Sequence, residues 1–186
     1  MTDGNRDNDS TRGARVAISL IGMPGSGKST VGKEVAHRLG LAFADCDKAI
    51  EHRAGCSIAA LFEREGEGAF RDLESEVLAS LVARGPSVIA TGGGVVLRAA
   101  NRELLRARTR CVYLRAGLDL LWKRLRRDHR RPLLQVADPR RRLREMSAER
   151  EPLYEGTAHW IVDTDGLSFD RLVGKLMEQL RPETRQ

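Results

Sequence analysis

Apolar positions along this chain recur with two different periods, and the switches between them predict alternating strands and helices. Residues 14–21 (Ala-Arg-Val-Ala-Ile-Ser-Leu-Ile) are apolar almost throughout and predict a buried strand, whereas Val31, Val35 and Leu39 recur at helical spacing and predict an amphipathic helix that stops near Gly40. A second short strand is expected at residues 41–44. It is followed by a short helix closed by Gly55 and another opened by Ser57 with Ile58, Leu61 and Phe62. After Gly66 and Gly68, the residues Phe70, Leu73, Val77, Leu78 and Leu81 form one stripe and predict a longer helix. Residues 86–91 predict a third strand, Leu97, Leu104 and Leu105 a helix, and residues 111–114 a fourth strand. Leu118, Leu121, Trp122 and Leu125 follow at i, i+3, i+4, i+7. A helix over residues 140–154, a fifth strand at 160–163 and a last helix with Phe169, Leu172, Val173, Leu176, Met177 and Leu180 on one face complete the pattern. Strand and helix alternate to the end, which predicts one α/β domain.

Composition narrows the class. The 186 residues are 41% hydrophobic, enough for one domain with a sizeable core. No apolar run approaches the roughly 20 residues that span a bilayer, and no leader-like segment opens the chain, so a cytoplasmic protein without a membrane partner is expected. Cys46, Cys56 and Cys111 have no metal-ligand spacing and are assigned to packing. Residues 1–14 carry almost no apolar side chain and are expected to form a disordered tail, with a second short tail at 182–186. A formal net charge of +6 and a basic stretch from Lys123 to Arg144 invite a nucleic-acid reading. Only 4% of the chain is aromatic, too little for base-stacking platforms, and anionic small substrates account for the charge better. A monomer is expected. His37, His52, His129 and His159 share no spacing that suggests a metal or a triad and receive no catalytic role.

The chemistry starts at residues 22–30, Gly-Met-Pro-Gly-Ser-Gly-Lys-Ser-Thr, which satisfy G-x-x-x-x-G-K-[ST] between a predicted strand and a predicted helix. Such a loop cradles phosphates with backbone N–H groups at a helix N-terminus; Lys28 adds a cation, and the Ser29 hydroxyl suits Mg²⁺. Asp45 and Asp47 are two apart, so on extended backbone both would face the phosphate site, one for Mg²⁺ and one to accept a hydroxyl proton. Asp47 can equally be read as a helix cap. Arg71 and Glu74 share a helical face, where the carboxylate either fixes a guanidinium for a ligand or makes an ordinary surface pair. Gly92-Gly93-Gly94 ends a strand, either as a ligand surface of bare N–H groups or as a flexible connection. Residues 127–139, charged and ending in a proline, are read as a lid over the transferring phosphoryl group.

Taken with residues 70–74, 131–134 and 150–154, these motifs resemble, in order and spacing, the shikimate kinase family over about residues 15–181. The resemblance implies a nucleoside-monophosphate-kinase-like, three-layer α/β/α fold with a five-stranded parallel sheet and a lid. It implies ATP-dependent phosphorylation of the 3-hydroxyl of shikimate, in chorismate and aromatic amino-acid synthesis. It places Gly25, Ser26, Gly27, Lys28, Ser29 and Thr30 on the ATP phosphates, Ser29 and Asp45 at Mg²⁺, and Arg124 against adenine. Asp47 is then the base, with Lys28 and the lid's Arg131 acting on the phosphoryl group. Arg71 and Arg150 would bind the shikimate carboxylate, with Gly93 and Gly94 adding backbone contacts. A kinase for a gluconate-like acid is the first alternative, disfavoured by the two arginines. A non-catalytic ligand sensor is the second, disfavoured by Asp47, Lys28 and Arg131.

Overall fold

The first strand, β1 (Ala17–Ile21), is buried at every position because it lies between two others. It pairs in parallel with β3 (Ser87–Ala90) and with β4 (Thr109–Arg115), Ser19 standing opposite both Ile89 and Cys111. With β2 (Ala42–Asp45) outside β3 and β5 (Trp160–Asp163) outside β4, the order is β2-β3-β1-β4-β5, parallel throughout. These pairings belong to a computed structural model that describes residues 16–126 and 136–180.

The strand period of two divides β1 between two cores. Ile18 and Leu20 face α1 (Lys28–Leu39) and α7 (Phe169–Leu180), where they meet Val31, Val35, Val173 and Leu176. Ala17 and Ile21 face the opposite layer, built from α2 (Cys46–Ala54), α3 (Ile58–Ala83), α4 (Ala99–Arg108), α5 (Leu118–Leu125) and α6 (Pro139–Thr157). The three-layer arrangement with five parallel strands agrees with expectation. Among the described residues no helix is long and apolar enough to cross a membrane.

Several boundaries differ, each for a local reason. The two helices expected on either side of Gly66 form one element, α3, kinked where Gly66 takes φ 81°, ψ 174°. Leu97 belongs to a 3₁₀ turn over Val95–Leu97, ahead of α4. Asp138 caps α6 by accepting from the Arg141 N–H at 3.0 Å, and Pro139 opens the helix, so the end of the expected lid is helical; residues 127–135 lie outside the described residues. The expected tails, residues 1–14 and 182–186, also lie outside them.

Candidate active site

The carboxyl ends of the strands open onto a cavity of about 400 Å³. Its floor is the loop between β1 and α1. Gly25 and Gly27 take φ 82° and 99°, values that a side chain disfavours, and Gly27 caps α1 in the left-handed region. The Lys28 ammonium, almost wholly buried, donates to the carbonyls of Gly22 at 2.8 Å and Met23 at 2.9 Å. The Ser26 hydroxyl is buried with no hydrogen-bond partner, a polar atom suited to a phosphate oxygen. Gly25, Ser26, Gly27, Lys28, Ser29 and Thr30 all line the cavity.

Asp45 and Asp47 line the same cavity, but only Asp45 is on extended backbone. Asp45 ends β2 and is itself the cap of α2, its Oδ1 accepting from the Lys48 N–H at 3.3 Å, while Asp47 stands in the first helical turn. The cap role weighed for Asp47 thus belongs to Asp45, and strand passes into helix without a loop. Ser29 Oγ donates to Asp45 Oδ2 at 2.6 Å. A hydroxyl and a carboxylate side by side fit Mg²⁺, a hard cation that takes few protein ligands and completes its shell with phosphates and water. The described residues hold no group of three His, Cys, Asp or Glu that would suit another metal.

Behind Asp47 lies a second cluster. Arg71 is buried, its Nη1 donating to Glu74 Oε2 at 2.7 Å and its Nη2 to Glu67 Oε1 at 3.0 Å, so the surface-pair reading fails. Glu74 is 1% exposed, and burial, reinforced by Asp47, raises its pKa although Arg71 opposes this. Burial would lower the Arg71 pKa, but Glu74 and Glu67 outweigh it and hold the guanidinium charged.

Gly92, Gly93 and Gly94 are not a flexible connection; each admits a different close neighbour. A Cβ on Gly92 would lie 2.7 Å from Glu74 Oε1 and 3.0 Å from Asp47 Oδ1; on Gly93, 2.6 Å from Pro24 Cδ; on Gly94, 2.2 Å from Arg71 Nη1. Arg150 is 3% exposed and donates from Nη1 to the Gly93 carbonyl at 3.3 Å, while its Nε is buried with no hydrogen-bond partner. The paired arginines therefore converge on this glycine turn.

The far wall was not foreseen from sequence. Thr164, Leu167, Phe169 and Leu172 line the cavity together with Arg124, which donates from Nη1 to the Gly25 carbonyl at 2.8 Å. Phe169, expected in the core stripe of α7, is instead 44% exposed. The available signal was the polar, glycine-containing run 163–166 at the carboxyl end of β5, the edge where open α/β sheets bind ligands. Arg131 lies outside the described residues.

Comparison with known proteins identifies relatives of this chain. The family model for shikimate kinase matches residues 24–181. A shikimate kinase of Paracidovorax citrulli is 51% identical over 172 residues, 91% of this chain and 94% of its own. The solved shikimate kinase from Acinetobacter baumannii in complex with shikimate superposes with a TM-score of 0.86 at 41% identity, over 89% of this chain and 92% of that one. A gluconokinase from Sinorhizobium meliloti, 20% identical with a TM-score of 0.55 over 89% of this chain and 95% of its own, shares the fold alone.

Proposed function

The chain belongs to the shikimate kinase family, and from that membership we propose that it transfers the γ-phosphoryl group of ATP to the 3-hydroxyl of shikimate, giving shikimate 3-phosphate and ADP. The observation that carries the reading is the position of Asp47. It lines the phosphate-binding cavity and approaches Gly92 from the same side as Glu74, which is paired with Arg71. A hydroxylated acid whose carboxylate meets Arg71 and Arg150 would then present a hydroxyl to Asp47 beside the phosphate loop.

In this reading residues 25–30 hold the phosphates and Arg124 lies against the base, with Leu167, Phe169 and Leu172 lining the same cavity. Ser29 and Asp45 would hold Mg²⁺, which when bound neutralises charge on the β- and γ-phosphates. Lys28 supplies a cation within the loop. Arg131, assigned by resemblance, would act on the same charge. Asp47 takes the hydroxyl proton as attack proceeds. Gly93 and Gly94 offer N–H groups to the acid. Phosphoryl transfer asks the protein mainly for positioning and electrostatic stabilisation, and every assigned group serves one or the other. The same reading makes the enzyme a cytoplasmic monomer without a nucleic-acid partner.

The test is an ADP-release assay with shikimate, quinate and gluconate side by side. Shikimate should be turned over far faster than either competitor, and Asp47→Asn should bind ATP normally while losing turnover. Preference for gluconate, or full activity in Asp47→Asn, would overturn the assignment.

A further inference from the structure

Tyr154 is a fully buried aromatic side chain that no role above uses. It follows Arg150 by four residues on α6, so the two share a helical face. Its hydroxyl donates to the Gly93 carbonyl, the acceptor that Arg150 Nη1 also approaches, and lies 3.8 Å from Met23 Sδ. Its ring stacks on Tyr113, with centroids 4.9 Å apart and planes at 26°. Pro24 packs against Gly93 as well, so the phosphate loop, the arginine and the tyrosine meet at one peptide.

We propose that Tyr154 is a positioning residue for the acid substrate: by holding the Gly93 carbonyl it fixes the plane of the Gly93–Gly94 peptide and thereby aims the Gly94 N–H. The peptide is trans and planar, so its carbonyl and N–H point in opposite directions and anchoring one orients the other. A hydrogen bond at the carbonyl also polarises the unit and strengthens the N–H as a donor. Two successive glycines leave this plane free to rotate, so an external anchor is needed. Arg150 is a poor one, since its contact is at 3.3 Å and its guanidinium is the group assigned to the carboxylate. Tyr154 is better suited. Its ring is held by Tyr113, and burial pushes its hydroxyl pKa up, so it remains a donor throughout the neutral range. The inference rests on the reading that this turn binds the acid, and extends it to the residue that holds the turn.

Tyr154→Phe keeps the ring and its stacking and removes only the donor. The KM for shikimate should rise about threefold to tenfold, the range for losing one hydrogen bond, with kcat and the KM for ATP changed less than about twofold. Arg71→Ala, measured in parallel, separates the two claims. If Arg71→Ala raises the KM for shikimate and Tyr154→Phe does not, the role of Tyr154 falls and the substrate reading stands; if neither does, the substrate reading falls. Loss of kcat at unchanged KM would also overturn the proposal. Should Tyr154→Phe fold too poorly to assay, hydrogen exchange of the Gly94 amide in the wild type decides. Protection by shikimate is expected, and its absence refutes the orientation.

Discussion

Glu74 shows how burial changes the meaning of a residue pair. Three positions from Arg71 the carboxylate was legible as a partner, but whether the pair sat in water or in the protein was not, because the decisive neighbour is Gly94, remote in sequence. The missing Cβ at Gly94 lets the guanidinium lie against backbone, as the missing Cβ at Gly92 does for Glu74 Oε1. Glu74 Oε1 remains without a hydrogen-bond partner, so the raised pKa has a visible cause. A carboxyl raised in the folded state holds its proton where the unfolded chain has released it. Its contribution is therefore full below the ordinary glutamate range and declines as pH rises towards the raised folded value. Urea unfolding of wild type and Glu74→Gln from about pH 4 to about pH 7 should show the wild type losing stability relative to the variant as pH rises. Parallel curves would mean that the carboxyl titrates as in water.

At the scale of elements, most of the architecture was readable because each strand carries a run of apolar residues and each helix a stripe. The misses lie where two elements touch without a loop or where a wall comes from a distant segment. Asp45 and Asp47 were placed on one face by strand alternation. They reach one cavity for a different reason, because β2 runs straight into α2 and Asp45 closes the turn. Thr164 and Phe169 gave no periodic signal for a cavity wall, since their neighbour Arg124 is 40 or more residues away. The kink in α3 was half legible: Gly66 and Gly68 both looked like breaks, and only one is. Gly66 takes a φ and ψ open essentially to glycine alone, whereas Gly68 is helical, and an added Cβ would meet nothing at either. Gly66→Ala should therefore destabilise the fold by about 1–3 kcal/mol through backbone strain. Gly68→Ala should stabilise it by about 0.4–1 kcal/mol, because alanine restricts the unfolded chain. Chemical denaturation of the two variants checks this, and equal effects would show that the kink stores no strain.

Across the whole molecule, the site draws its two halves from different parts of the sheet. The nucleotide half is the cavity itself, lined by the loop after β1, α1, α5 and the segment after β5; the acid half, from α2, α3, the glycine turn after β3 and α6, adjoins it. They meet at Asp47 and at the contact between Pro24 and Gly93, so each ligand should stabilise the fold separately, as mass action requires of anything that binds only the folded state. At one hundred times its dissociation constant a ligand adds about 2.7 kcal/mol, which for a chain of this size raises the melting temperature by about 5–11 °C. Shikimate and ADP should each produce such a shift in the wild type. Arg150→Ala should abolish the shikimate shift and leave the ADP shift intact, because Arg150 contacts the glycine turn and does not line the phosphate cavity. If the variant loses the ADP shift and keeps that of shikimate, Arg150 serves the phosphates and the division of the site into these two halves is wrong.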